Sequence, residues 1–405
     1  MIKLIKENSK LAILILLGLF VLIEVILLLS PKINWFKGQL SLQEYASQVM
    51  EECSKSDYAI GCYDREIPEL MEYISMEEAF EVAAIVQAED PEYGYCHVLG
   101  HNLSAAETSK DVSKWREVVN RCPQGICSNG CLHGAAQERF RDEVLDSSQI
   151  DILKEELAGV CEDTEDHAFT GLERAECYHG LGHLTMYVTG ANMKESIKIC
   201  DKIAIDSTGD DFSSLCYEGL FMQLFQPLDT EDEVLVEGMG PQTASQARPF
   251  CESFGDVEVT NACWSQVHPL FGESLSTPEG ILAYCDQTPS QEAKLHCYSM
   301  SFWGEAQGTN YNQEKLALLC EGMPSDLRGL CFGNMANATI HGGFKNIEAA
   351  VSFCEKAKEQ STTDGCYERI LERATYNVPV GTDAFERLCN TMPDDFANSC
   401  RELNG

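Results

Sequence analysis

Twenty cysteines, spaced by a rule, constrain this 405-residue chain more than any other feature. Eighteen fall into nine local pairs: Cys53–Cys62, Cys122–Cys131, Cys161–Cys177, Cys200–Cys216, Cys251–Cys263, Cys285–Cys297, Cys320–Cys331, Cys354–Cys366 and Cys389–Cys400. Members of a pair stand 9 to 16 residues apart. From Cys122 onward the first members recur at intervals of 39, 39, 51, 34, 35, 34 and 35 residues. A fixed period of this size marks a repeat architecture, in which each unit is one supersecondary element that buries its apolar face against the next.

The units share an internal order. An apolar-periodic segment runs into the first Cys, as in Ile281-Leu282-Ala283-Tyr284-Cys285, and a polar loop follows. The second Cys opens another segment, usually with an aromatic beside it, as in Cys177-Tyr178 and Cys263-Trp264. Glu, Ala, Leu, Met and Lys dominate between the loops and β-branched runs are scarce, which favours helix. The expected fold is all-α: an α-solenoid of helical hairpins, each stapled across its turn, with a period of about 35 residues. Helices of roughly 10–14 residues are marginal alone. A disulfide across each turn contributes about 2.5–3 kcal/mol by restricting the unfolded chain, which offsets a thin core.

Cys96 and Cys127 lie outside the nine pairs and permit one further bridge. Cys122, Cys127 and Cys131 are so close in sequence that connectivity among these four stays open. The chain contains no C-x-x-C, the spacing of zinc knuckles and of dithiol redox motifs. The cysteines therefore read as disulfides, and disulfides at this density belong to an oxidising compartment.

Leu11 to Ser30 supplies the route there. These 20 residues carry one charge, Glu24, and match the length a helix needs to cross a bilayer. The run ends without a small-residue cleavage pattern, so the expectation is an uncleaved signal anchor in the cell membrane. Lys3, Lys6 and Lys10 precede it and Lys32 and Lys37 follow, a slight bias toward a cytoplasmic N-terminus that the cysteines reinforce. Residues 1–10 then form a cytoplasmic tail, 11–30 a single transmembrane helix and 31–40 a linker. Residues 41–405 form an extracytoplasmic domain, with a histidine-bearing half at about 76–225, an acidic insertion at 226–250 and regular repeats at 251–405. With 65 acidic and 29 basic residues the net charge is −36, which excludes nucleic acid as a partner because phosphate contacts need clustered Lys and Arg.

Five of the nine histidines carry the chemistry. Cys96-His97-Val98-Leu99-Gly100-His101 and Cys177-Tyr178-His179-Gly180-Leu181-Gly182-His183 repeat one pattern, with imidazoles at i and i+4 on one helix face. His133, two residues after Cys131, stands where His179 stands after Cys177, and Glu218 takes that place after Cys216. His97, His101, His133, His179 and His183 are thus expected as ligands of a transition metal, and imidazole suits Zn, Cu, Fe or Ni. His167, His268, His296 and His341 appear isolated in sequence.

No H-E-x-x-H, G-x-S-x-G, G-x-G-x-x-G or phosphate-binding G-x-x-x-x-G-K is present. The leading expectation is a membrane-anchored binding protein whose solenoid face meets a protein or peptide partner, with a local metal site. The alternative is a metal-dependent enzyme, hydrolytic or redox, using Glu138 or Glu218 as general base and the acidic insertion as a flap.

Overall fold

A computed structural model describes residues 40–403, apart from 91, 142–144, 146–148, 150, 153–156, 158, 165–166, 228–229 and 289–290. The expected tail, anchor helix 11–30 and most of the linker lie outside the described residues. Among those described, no helix is long and apolar enough to cross a membrane.

The described residues are helical, with no β-strand among them, and the chain carries ten disulfides, with no free cysteine. Successive helices pair as hairpins: α1 (Leu42–Cys53) with α2 (Ala59–Glu69), α3 (Met76–Glu89) with α4 (His97–Ser109), and α5 (Trp115–Asn120) with α6 (Gly130–Phe140). Then come α7 (Gly171–Val188), and α8 (Met193–Ile203) with α9 (Ser213–Phe225). After the short α10 (Thr230–Leu235) follow α11 (Ala244–Glu252) with α12 (Val257–Gln266), and α13 (Pro278–Cys285) with α14 (Gln291–Gly308). The last are α15 (Gln313–Gly322) with α16 (Ser325–Gly342), α17 (Ile347–Phe353) with α18 (Gln360–Asn377), and α19 (Asp383–Thr391) with α20 (Asp394–Glu402).

Nine disulfides staple a first segment to the second helix that follows it, with Cα–Cα distances of 5.3–5.6 Å. The tenth joins Cys96, at the start of α4, to Cys127, just before α6. The aromatic beside the second Cys is buried beneath the staple. Tyr178 stacks on Phe212 with centroids 4.5 Å apart, and Phe332 meets Phe353 at 5.1 Å.

Four of the second helices are longer than the 10–14 residues expected, whereas α4 and α9 keep to it at 13 residues each. α7, α14, α16 and α18 each run 18 residues. They form an inner layer enclosed by neighbours, and in α16 every residue from Cys331 to Gly342 is buried. Enclosure lets apolar and small residues cover all sides of a helix, so its length is set by the layer.

The array does not remain an open solenoid. α7, α9, α12, α14, α16 and α18 pack each against the next, and α18 returns to pack on α7, closing a ring. Gly171 makes room at this seam for the ring of Tyr376, which would meet any Cβ there at 2.3 Å. Residues 92–128 close one end. Asn310 donates to the Glu92 carbonyl at 2.6 Å, the Phe344 amide donates to the Gly125 carbonyl at 2.9 Å, and α6 packs on α7. A concave face that the repeat pattern alone leaves open is thereby turned inward around a cavity of about 340 Å³.

The acidic insertion also differs from a loose flap. Residues 244–250 belong to α11, the first helix of the next hairpin, and Asp232 is buried against the Tyr187 hydroxyl. From this stretch the cavity wall receives Gln226 alone among the described residues.

Candidate metal centre

α4 and α6 cross so closely that a Cβ on Gly134 would stand 2.2 Å from the His101 carbonyl oxygen. This approach brings His97 and His101, one turn apart on α4, against His133 of α6. Ring centroids are 4.7 Å (His97–His101), 5.1 Å (His97–His133) and 5.1 Å (His101–His133) apart, and all three rings are buried. Each ring offers one nitrogen, and the three lie within 4.8 Å of one another. Tetrahedral ligands at 2.0–2.1 Å from zinc are about 3.4 Å apart, so small side-chain adjustments fit an ion between them.

The protons on these rings are held elsewhere. His97 Nδ1 donates to the Ser128 carbonyl at 3.1 Å, and His133 Nε2 donates to the Glu176 carbonyl at 2.8 Å. The Gln137 amide oxygen accepts from His101 Nδ1 at 2.9 Å. With the protons so placed, lone pairs remain on His97 Nε2, His101 Nε2 and His133 Nδ1. The first two face each other at 3.1 Å, and His133 Nδ1 is buried with no hydrogen-bond partner. Lone pairs aimed at one another repel unless a proton or cation lies between them, and hydrogen bonds to the far nitrogens are what metal-ligating histidines normally make.

Electrostatics keep the rings neutral. Burial lowers the pKa of His97 to about 4 and that of His101 and His133 well below the usual value, with mutual repulsion adding to the effect in the latter two. A neutral imidazole is the form that binds metal.

His179 and His183 on α7 extend the cluster without joining the triad. Each ring lies 5.7 Å from His133 and they are 5.1 Å from each other. His183 Nδ1 donates to Gln223 at 2.7 Å, repeating the His101–Gln137 arrangement two repeats later, and His179 Nε2 contacts Met222 Sδ at 3.3 Å. The five histidines thus form one cluster, of which three bring ring nitrogens within 4.8 Å of one another.

His97 and His133 also form part of the cavity wall, so the centre opens onto the cavity on one side. Ring closure brings in residues that look isolated in sequence. His268, His296 and His341 all line the cavity, and only His167 stays apart, 3.7 Å from Glu173. Glu218 lines it too and binds His296 at 2.7 Å; burial works to lower the His296 pKa, but this bond and the carboxylate charge outweigh it and raise it. Glu138 is not in the wall and pairs instead with Arg141 at 3.2 Å.

Sequence reasoning missed Glu176. Its carboxylate stands 3.6 Å from His133 Nε2 and 3.4 Å from His341 Nε2, and burial, helped by Glu218, pushes its pKa up to about 8. A signal existed: Glu176, His179 and His183 fall at i, i+3 and i+7, a polar stripe on one face of α7. Asn334, Asn337 and His341 repeat the stripe on α16. Asn337, an N-glycosylation sequon, is buried here and donates to the Gly333 and Arg369 carbonyls at 2.9 and 3.1 Å.

No protein-family model matches the sequence, and neither a curated protein nor a solved structure shows significant similarity to it. What the protein does is therefore argued from its own geometry: a disulfide-stapled helical protein with a buried three-histidine group able to hold a metal ion.

Proposed function

We propose that the protein is a metal-dependent binding protein. In this reading His97, His101 and His133 hold a transition metal whose remaining position faces the cavity and takes a small ligand. The observation that carries this is the gathering of three buried imidazoles with ring nitrogens within 4.8 Å of one another, each ring also hydrogen-bonded through a nitrogen to a fixed protein partner. A cavity of about 340 Å³ has the size of a small-molecule site, so the ligand it takes belongs to that class. The setting follows the sequence: the ten disulfides favour an extracytoplasmic domain, tethered to the cell membrane by residues 11–30 with the N-terminus in the cytoplasm.

Zinc is the probe that tests the reading. The purified full chain, loaded with zinc and freed of excess, is expected to hold one equivalent by elemental analysis. A chain that retains only trace zinc, copper, iron or nickel after loading ends the proposal. The pH dependence is a second readout. A ring with a lowered pKa keeps its lone pair at every pH above that value, so protons compete for His97 only near its pKa of about 4. Zinc should therefore stay bound at pH 5.5, where an exposed histidine site with pKa about 6.5 is already protonated. The metal-free protein responds in the same direction. The unfolded chain takes up protons from pH 6.5 downward and the folded rings refuse them, so metal-free stability falls with pH in that range.

One observation favours an enzymatic reading beside this one. Glu176, on the cavity and next to His133, has a pKa of about 8 and so sits in the range where a carboxylate exchanges protons near neutrality. In a hydrolytic reaction it, not Glu138, would take a proton from a water on the cavity side of the three histidines. With p-nitrophenyl acetate as probe, zinc-loaded Glu176→Gln should lose roughly 100-fold or more in kcat with zinc content unchanged. Equal rates in the two proteins exclude that role.

A further inference from the structure

Two arginines reach the cavity of a chain that carries a net charge of −36. Arg369 and Arg373 lie one turn apart on α18, the helix that closes the ring onto α7. Arg369 gives Nη1 to Glu372 at 2.8 Å, yet its Nε is buried with no hydrogen-bond partner. The Arg373 guanidinium lies 5.0 Å from the centroid of Tyr376, another wall residue, and is the more exposed of the two. A buried donor without an acceptor is rare in a folded protein and calls for a partner; here it belongs to a side chain of the cavity wall.

The acids of the wall do not fill that role. Glu218 is engaged by His296 at 2.7 Å, and Glu176 stands between His133 and His341 at 3.6 and 3.4 Å. No ion pair links either carboxylate to Arg369 or Arg373 among the described residues. The register of α18 is held independently. Asn377 donates to Asn337 at 2.8 Å, and Asn337 donates to the backbone carbonyl of Arg369, so the arginine-bearing turn is tied to α16. Between the histidines, amides and acids of the wall, Leu172, Ala175, Leu215, Met222, Met300 and Trp303 supply apolar surface suited to a short carbon skeleton.

We propose that the cavity takes a small organic oxyanion, a carboxylate or a phosphate ester, seated on Arg369 and Arg373, with its other end reaching the metal centre. The guanidinium fork matches a planar carboxylate or two phosphate oxygens with paired donors, which a lysine cannot do. The second attachment rests on the metal-centre reading; the arginine seat does not.

The experiment titrates the full chain, zinc-loaded and metal-free, with inorganic phosphate and with succinate, and measures binding by calorimetry. Wild type is expected to bind at least one of the two. Arg369→Gln with Arg373→Gln should weaken that binding tenfold or more at unchanged zinc content, and Arg369→Lys with Arg373→Lys should restore only part of it. Arg373→Gln alone, at the more exposed position, should weaken binding threefold or more and serves if the double variant does not fold. No binding of either anion to wild type, or variants that bind as tightly as wild type, overturns the proposal. Zinc content of the same samples separates the two readings. Arginine-dependent anion binding without retained zinc keeps the anion seat and ends the metal centre, whereas retained zinc without anion binding does the reverse.

Discussion

His133→Ala is expected to lower zinc affinity roughly 100- to 1000-fold, because structural zinc sites gain about 10–16 kcal/mol over four ligands. The companion result distinguishes a ligand from a packed core residue. His133 Nδ1 is buried without a partner, and an orphaned polar atom costs about 1–3 kcal/mol. Removing the ring relieves that penalty while losing packing, so the metal-free variant should melt close to metal-free wild type. A purely structural histidine behaves oppositely, with a large loss of stability and no effect on metal. His183→Ala is the control: its Nδ1 is engaged by Gln223 and its ring lies outside the converging triad, so zinc affinity should fall far less. If His133→Ala binds zinc as wild type does, the centre is not where these rings place it.

The second large effect concerns the turn that presents Ser128 to His97. Cys127, Ser128 and Asn129 have φ of 49°, 48° and 56°, three successive non-glycine residues in the left-handed region, and all are buried. Each such residue is disfavoured by roughly 1–2 kcal/mol, so the turn persists only because its surroundings hold it. The Cys96–Cys127 disulfide ties its first residue to the neighbour of His97, and the turn's product is the carbonyl that orients the His97 ring. Replacing both cysteines by serine should lower zinc affinity about 10- to 100-fold, the usual effect of losing a partner that orients a ligand. Stability should fall by about 3.5–4 kcal/mol on the chain-entropy estimate for this loop. Replacing Cys389 and Cys400, a staple remote from the centre in sequence, should lower stability by about 2.5–3 kcal/mol and leave zinc affinity unchanged. Equal metal affinity in the two double variants would separate the turn from the site.

Much of this was legible in the sequence, for local reasons. A staple closes over 9–16 residues, a helix face repeats every three or four residues, and an aromatic beside a cysteine sits under its own turn. All of these are short-range relations that spacing encodes. His97 with His101, and His179 with His183, could be read as pairs because one helix carries both members. Their joining through His133 followed from the equivalence of successive repeats, although the repeat pattern did not distinguish the three rings that converge from the two that flank them.

The rest depended on contacts between residues far apart in the chain. Glu176 meets His341 across 165 positions, and Glu218 meets His296 across 78. The first pair spans the seam where α18 packs back on α7 and the second skips a repeat, and a repeat period describes how each unit meets its neighbour but not how many units bring the array around to itself. That angle is the sum of many small packing offsets, set by features such as Gly134 and Gly171 that admit a backbone or a ring at close range. The sequence by itself therefore determined a helical, disulfide-stapled array with paired histidines. Only tertiary packing decided that its inner face closes into a cavity, that three rings gather beside it with two of them in its wall, and that two arginines stand in the same wall. Local spacing specifies each hairpin, whereas closure accumulates over the whole ring.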